Sequence, residues 1–159
     1  MSTPPKVVFD CNVYFQATIS EFGPANRCVR KAVQRTADLY CSEYTIAEFR
    51  IVCSRSDLRS RFSITDTGVD AMVSLIREYA TLVHHVPHQY DVRSDPKDSH
   101  YVDLALAAQA HLIVSRDRDL LRLRETTNTE GAEFVRRFPG LDIIEPPELL
   151  RRLAERDDG

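Results

Sequence analysis

The chain is poor in features that anchor, cross-link or coat. No apolar run approaches the roughly 18 residues of a membrane span, so no membrane-spanning helix is expected. The opening Met1-Ser2-Thr3-Pro4-Pro5 lacks the basic and apolar regions of a secretory signal, so the expected location is cytoplasmic. Cys11, Cys28, Cys41 and Cys53 show neither a CxxC nor a Cys/His ligand spacing. They are expected to be reduced and mostly buried, and no tetrahedral zinc site is indicated, His84, His85, His88, His100 and His111 adding no ligand pattern of their own. A net charge of -3 and a pI of about 5.9 exclude a broad basic surface built for unspecific nucleic-acid coating. A local gathering of Arg50, Arg55, Arg59, Arg61, Arg116, Arg118, Arg122 and Arg124 stays possible. Repeats, low-complexity stretches and linkers are also absent, so the 159 residues read as a single domain over 1–159, with short flexible tails at 1–5 and 155–159.

What is present is a soluble globular composition, 43% apolar and 28% charged, which excludes a disordered chain. Lys6 to Asp10 is short and almost wholly apolar, as expected of a central strand covered on both faces. A helix after Pro24, a strand at Asp38 to Cys41, and a helix from Glu43 to Ser54 capped by Ser42 follow. The last of these is expected to turn Ala47, Ile51 and Val52 to the core. Asp66 to Ala80 reads as a helix and Thr81 to Val83 as a strand. Pro87 to Lys97 reads as a loop, and Pro96 to Ala110 as a buried helix with Asp95 as its N-cap. His111 to Ser115 and Leu141 to Ile144 complete five strands, and Pro147 to about Arg156 forms a terminal helix. Alternation of helix and strand without hairpin signals implies a three-layer α/β/α fold around a mostly parallel sheet.

Acids stand where two of these apolar strands end, Asp10 after Val7-Val8-Phe9 and Asp117 after Leu112-Ile113-Val114-Ser115-Arg116. The carboxyl ends of neighbouring parallel strands open onto one crevice, so distant residues can meet there. Asp98, in the first turn of a buried helix, and Glu48, within an earlier helix, can reach the same edge. Each acid alone admits a plainer role as a cap, a turn or a solvated side chain. Asn12 reads as a cap or supporting donor, Asp95 as a cap and Asp103 as a packing-edge or solvent-facing residue. Asp119 is the better placed of the last two acids to cap the short helix near Leu120. Taken together, Asp10, Glu48, Asp98 and Asp117 come from four elements that one parallel sheet can join, and no neighbouring Lys is expected to offset them. Carboxylate oxygens suit Mg2+ or Mn2+, ions that serve phosphoryl transfer. With no Gly-rich phosphate loop, Ser/His/Asp set or reactive-Cys motif, the acids indicate metal-assisted phosphodiester hydrolysis.

Phe9-Asp10-Cys11-Asn12-Val13, Ile46-Ala47-Glu48, Asp95-Pro96-Lys97-Asp98 and Ile113-Val114-Ser115-Arg116-Asp117-Arg118-Asp119-Leu120 together resemble the PIN-domain nucleases, particularly the bacterial group that includes toxins of toxin–antitoxin pairs. The resemblance implies a Mg2+- or Mn2+-dependent endonuclease of single-stranded RNA. Asp10, Glu48, Asp98 and Asp117 would be catalytic, with Asp10, Asp98 and Asp117 as metal ligands. Asn12, Ser115 and Asp119 would give polar support. It further implies a small antitoxin partner and a homodimer. Two departures stand out: Arg116, where relatives often carry a small residue, would narrow the mouth or contact phosphate, and the stretch Arg122 to Pro139 is longer than usual. The rivals are a haloacid-dehalogenase-like phosphatase, which wants an acid where Asn12 stands, and a receiver-like signalling or binding module, which wants a Lys after the last strand, where Ile143-Ile144-Glu145 has none.

Overall fold

A computed structural model describes residues 3–158 of the chain. Five strands, β1 (Lys6–Phe9), β2 (Asp38–Cys41), β3 (Thr81–Leu82), β4 (Leu112–Val114) and β5 (Asp142–Ile144), form one sheet in the order β3-β2-β1-β4-β5, and every pairing is parallel. The helices in chain order are α1 (Cys11–Ile19), α2 (Pro24–Val33), α3 (Glu43–Ser54), α4 (Ser56–Phe62), α5 (Asp66–Tyr79), α6 (Ser99–Ala108), α7 (Arg118–Leu121), α8 (Thr129–Arg137) and α9 (Pro146–Asp158). Strand pleating sends Val7, Phe9, Leu112 and Val114 into one apolar cluster with α1, α2, α3, α5 and α9, while Val8, Ile113 and Ile143 join a second with α6 and α8. The fold is the three-layer α/β/α arrangement expected, with both sheet faces covered.

The chain runs outward from β1 through β2 to β3, then returns to place β4 on the other side of β1. This reversal makes the carboxyl edge between β1 and β4 the crevice where such sheets hold ligands. Phe9 lies in register with Val114, so Asp10 and Ser115 leave the sheet side by side.

The structure corrects several expectations. Ala47 and Ile51 are exposed, Ile51 at 61%, because α3 is seated on Thr45, Ile46, Phe49 and Cys53 and the other two fall on the opposite side. Asp103 is buried, not solvent-facing. Its Oδ1 accepts from the Gln89 and Tyr90 amides at 2.8 and 2.9 Å, and its Oδ2 pairs with His88 Nδ1 at 2.7 Å, which straps the loop before α6 onto that helix. The helix expected from Pro96 begins as a 3-10 turn over Pro96–Asp98, with Asp95 Oδ1 accepting from the Lys97 amide. Helices α4 and α8 had no sequence expectation, and α1 was anticipated only through the cap residues before it. The long segment after Arg122 is occupied by α8, whose cap Asn128 accepts from Gly131 N at 2.7 Å. Gly131 is required there, since a Cβ would lie 1.9 Å from the Glu125 carbonyl oxygen.

All four cysteines are free and buried. Of the expected tails, residues 1, 2 and 159 lie outside the described residues. The Thr3 carbonyl accepts from Arg156, the Pro5 carbonyl accepts from the Asp38 amide, and α9 continues to Asp158. Among the described residues, no helix is long and apolar enough to cross a membrane.

Candidate active site

A cleft of about 200 Å³ opens at the β1–β4 edge, lined by Asp10, Asn12, Glu48, Asp95, Asp98 and Asp117 together with Cys11, Val52, Arg55, Lys97 and Tyr101. All four acids expected at the site are in this lining. Asp10 is the deepest, 3% exposed. It is also the N-cap of α1, Oδ1 accepting from Val13 N at 3.1 Å, the plainer role its place at the strand end allowed, while Asn12, the other cap candidate, is exposed on the first turn of the helix. Asp10 Oδ2 accepts from the Ser115 hydroxyl, and Ser115 Oγ in turn accepts from the Asp117 amide at 2.9 Å. Ser115 is fully buried and thus fixes the acid at the end of β1 relative to the acid beyond β4. Asp117, not Asp119, caps α7, its Oδ1 accepting from the Asp119 amide at 2.8 Å. The helix starts at Arg118, two residues earlier than would let Asp119 take that place.

Asp98 Oδ2 is buried and, among the described residues, has no hydrogen-bond partner. Burial, followed by the charges of Asp117, Asp95 and Asp10, holds the Asp98 carboxyl far above the usual carboxylate range. Asp10 is pushed up to about 6 by its burial, the bonds from Ser115 and Val13 working against the rise and Asp117 adding to it. One oxygen each of Asp95, Asp98, Asp117 and Asp119 lies within 4.8 Å of the others, a grouping that can hold a cation. Asp10 lies outside that grouping, joined to it through Ser115, while Asp95 and Asp119, read mainly as caps, are inside it. The donors are all oxygen, which suits Mg2+ or Mn2+. An orphaned buried carboxylate oxygen is what a bound cation would satisfy.

Glu48 is clamped by residues the sequence did not single out. Tyr44 OH, one helical turn earlier, donates to Oε1 at 2.9 Å, and Tyr101 OH donates to Oε2 at 3.3 Å while accepting from the Cys11 amide at 3.2 Å. The Cys11 thiol lies 3.7 Å from Oε2, and burial raises it to about 12, so it is a weak donor and no nucleophile. Arg55 and Lys97 line the cleft and, among the described residues, neither side chain is in an ion pair, so the acids do have cationic company at the mouth. Arg116 is exposed and does not line the cleft, and its charge is felt by Cys28 of α2.

A parallel α/β sheet with buried acids at its topological switch point belongs to the class of open-sheet scaffolds that bind ligands at that crevice. Within that class the PIN domain family model matches residues 6–119, and the chain belongs to the PIN domain family. PIN domains are in general nucleases. No curated protein matches the chain. Among solved structures, the crystal structure of VapBC2 from Rickettsia felis bound to a DNA fragment from their promoter contains a similar chain. The two are 11% identical with a TM-score of 0.49, over 88% of this chain and 98% of that one.

Proposed function

We propose that the chain is a cytoplasmic, Mg2+- or Mn2+-dependent endoribonuclease that hydrolyses phosphodiester bonds of single-stranded RNA. The observation that carries this reading is the buried, unpartnered oxygen of Asp98 facing Asp117 and Asp10 in an all-oxygen cleft. Asp10, Asp98 and Asp117 would hold the cation, with Asp95 and Asp119 close enough to share it. When bound, such an ion lowers the pKa of its water and offsets charge on the phosphate. Ser115 keeps Asp10 and Asp117 in fixed relation. Glu48, with both oxygens held by tyrosine hydroxyls, would either orient the attacking water or bind a second ion. Lys97 and Arg55 supply positive charge for the substrate backbone. The resemblance to bacterial toxins supports a small antitoxin as partner and a homodimer as the working form.

Purified wild type and Asp10→Asn, each given single-stranded RNA with Mg2+, Mn2+ or EDTA, test the reading. Cleavage by wild type only, abolished by EDTA, is the expected outcome. Equal cleavage by both proteins would sink it.

A further inference from the structure

Beside Glu48, the Tyr44 ring lies against the His100 imidazole with centroids 4.1 Å apart and planes inclined by 33°. Both ends of this pair are anchored: Tyr44 OH donates to Glu48 Oε1, and His100 Nε2 pairs with Ser42 Oγ at 2.6 Å. Tyr44 is nonetheless 41% exposed, and its hydroxyl is bonded to Glu48, one of the acids that line the cleft. A rigid aromatic with a covered back and an open remainder is the form of a base-stacking platform, since every nucleobase offers a π-face. Arg55 and Lys97, charged and outside any ion pair among the described residues, line the same cleft as Glu48 and offer positive charge to the backbone of a strand that crosses it.

We propose that Tyr44, backed by His100, is the subsite for one nucleobase of single-stranded RNA next to the scissile phosphate. The assignment rests on the nuclease reading for the position of that phosphate. Tyr44 acts here through its ring. Its hydroxyl serves Glu48, and the two roles separate by substitution.

A 2′-O-methyl oligoribonucleotide, which resists cleavage, reports binding alone. An abasic site is stepped along it and binding is measured to wild type, Tyr44→Leu and Tyr44→Phe in Mg2+. Tyr44→Leu is expected to weaken binding of the intact oligomer about tenfold, the loss of one base stack, with Tyr44→Phe near wild type. At one abasic position wild type and Tyr44→Leu should bind alike. Equal binding of the intact oligomer by wild type and Tyr44→Leu, or a tenfold gap that no abasic position closes, overturns the subsite. Cleavage of ordinary RNA by wild type, measured in parallel, reports the nuclease reading separately: cleavage without the coupling removes only the subsite, and coupling without cleavage removes only the nuclease.

Discussion

At the β1–β4 edge, Asp98 keeps a buried oxygen without a partner while Asp10 and Asp117 press on it. At the start of β5, Asp142 meets Arg124 at 3.1 Å and Arg152 at 2.9 Å, and Arg152 also reaches Glu148 at 3.0 Å. The same chemical group is held in opposite ways. In the first corner burial and like charge lift the carboxyls. In the second, bonds from Arg151 and Arg152 bring Glu148 down to about 2. The Asp142 corner is closed by its own arginines, whereas among the described residues no ion pair reaches Asp98. Buried carboxyls lifted by like charge and gathered at one edge are the pattern expected of a functional site.

The largest expected effect comes from neutralising the Asp98 corner. Asp98→Asn should lower RNA cleavage about 1,000-fold, as loss of a metal ligand's several kcal/mol would. It should also raise the urea midpoint of the metal-free protein, because a buried like charge is gone. A lower midpoint in EDTA would mean that Asp98 is structural and the contrast with Asp142 is false.

The pH dependence of stability should also distinguish the corners. Asp10 titrates from 3.8 unfolded to about 6 folded, so in EDTA the folded state holds a proton that the unfolded state has lost. Its contribution is full below pH 3.8 and falls as pH rises through 6, by up to about 3 kcal/mol. Glu148, lowered from 4.5 to about 2, gives the reverse: stability present above 4.5 and lost as pH falls through 2. Urea melts across pH 3 to 8 should flatten at the upper end when Mg2+ or Mn2+ is added, and an unchanged slope would count against cation binding by these acids.

The smallest effect belongs to the paired corner. Asp142→Asn should cost about 0.5–1 kcal/mol, less at high salt, since these side chains remain partly exposed. Cleavage of RNA by this variant should match wild type, and a large loss would tie the two corners together.

Asp10 and Asp117 are legible in the sequence because each follows an apolar strand too short to continue, and parallel topology then brings them together. Asp98 is legible through the buried helix it precedes. Tyr44 and Tyr101 are not, because their significance lies in contacts with Glu48 and Cys11 set by how α3, α6 and α1 pack. Asp103 misleads for a related reason: its partners are backbone amides 13 and 14 residues upstream, which no side-chain pattern announces. Ala47 and Ile51 mislead because a short helix offers two plausible apolar stripes, and packing against Phe49 and Cys53 selects the other. Helix α8 is strongly amphipathic, yet the polar run of Thr and Asn before it hides its start, which Asn128 caps.

The hydrogen bond between Ser115 and Asp10 joins positions 105 residues apart, across an edge of β1 that only β4 can fill. A chain still being synthesised therefore carries an open central strand and an incomplete acid set until the segment bearing Ser115 and Asp117 has left the ribosome.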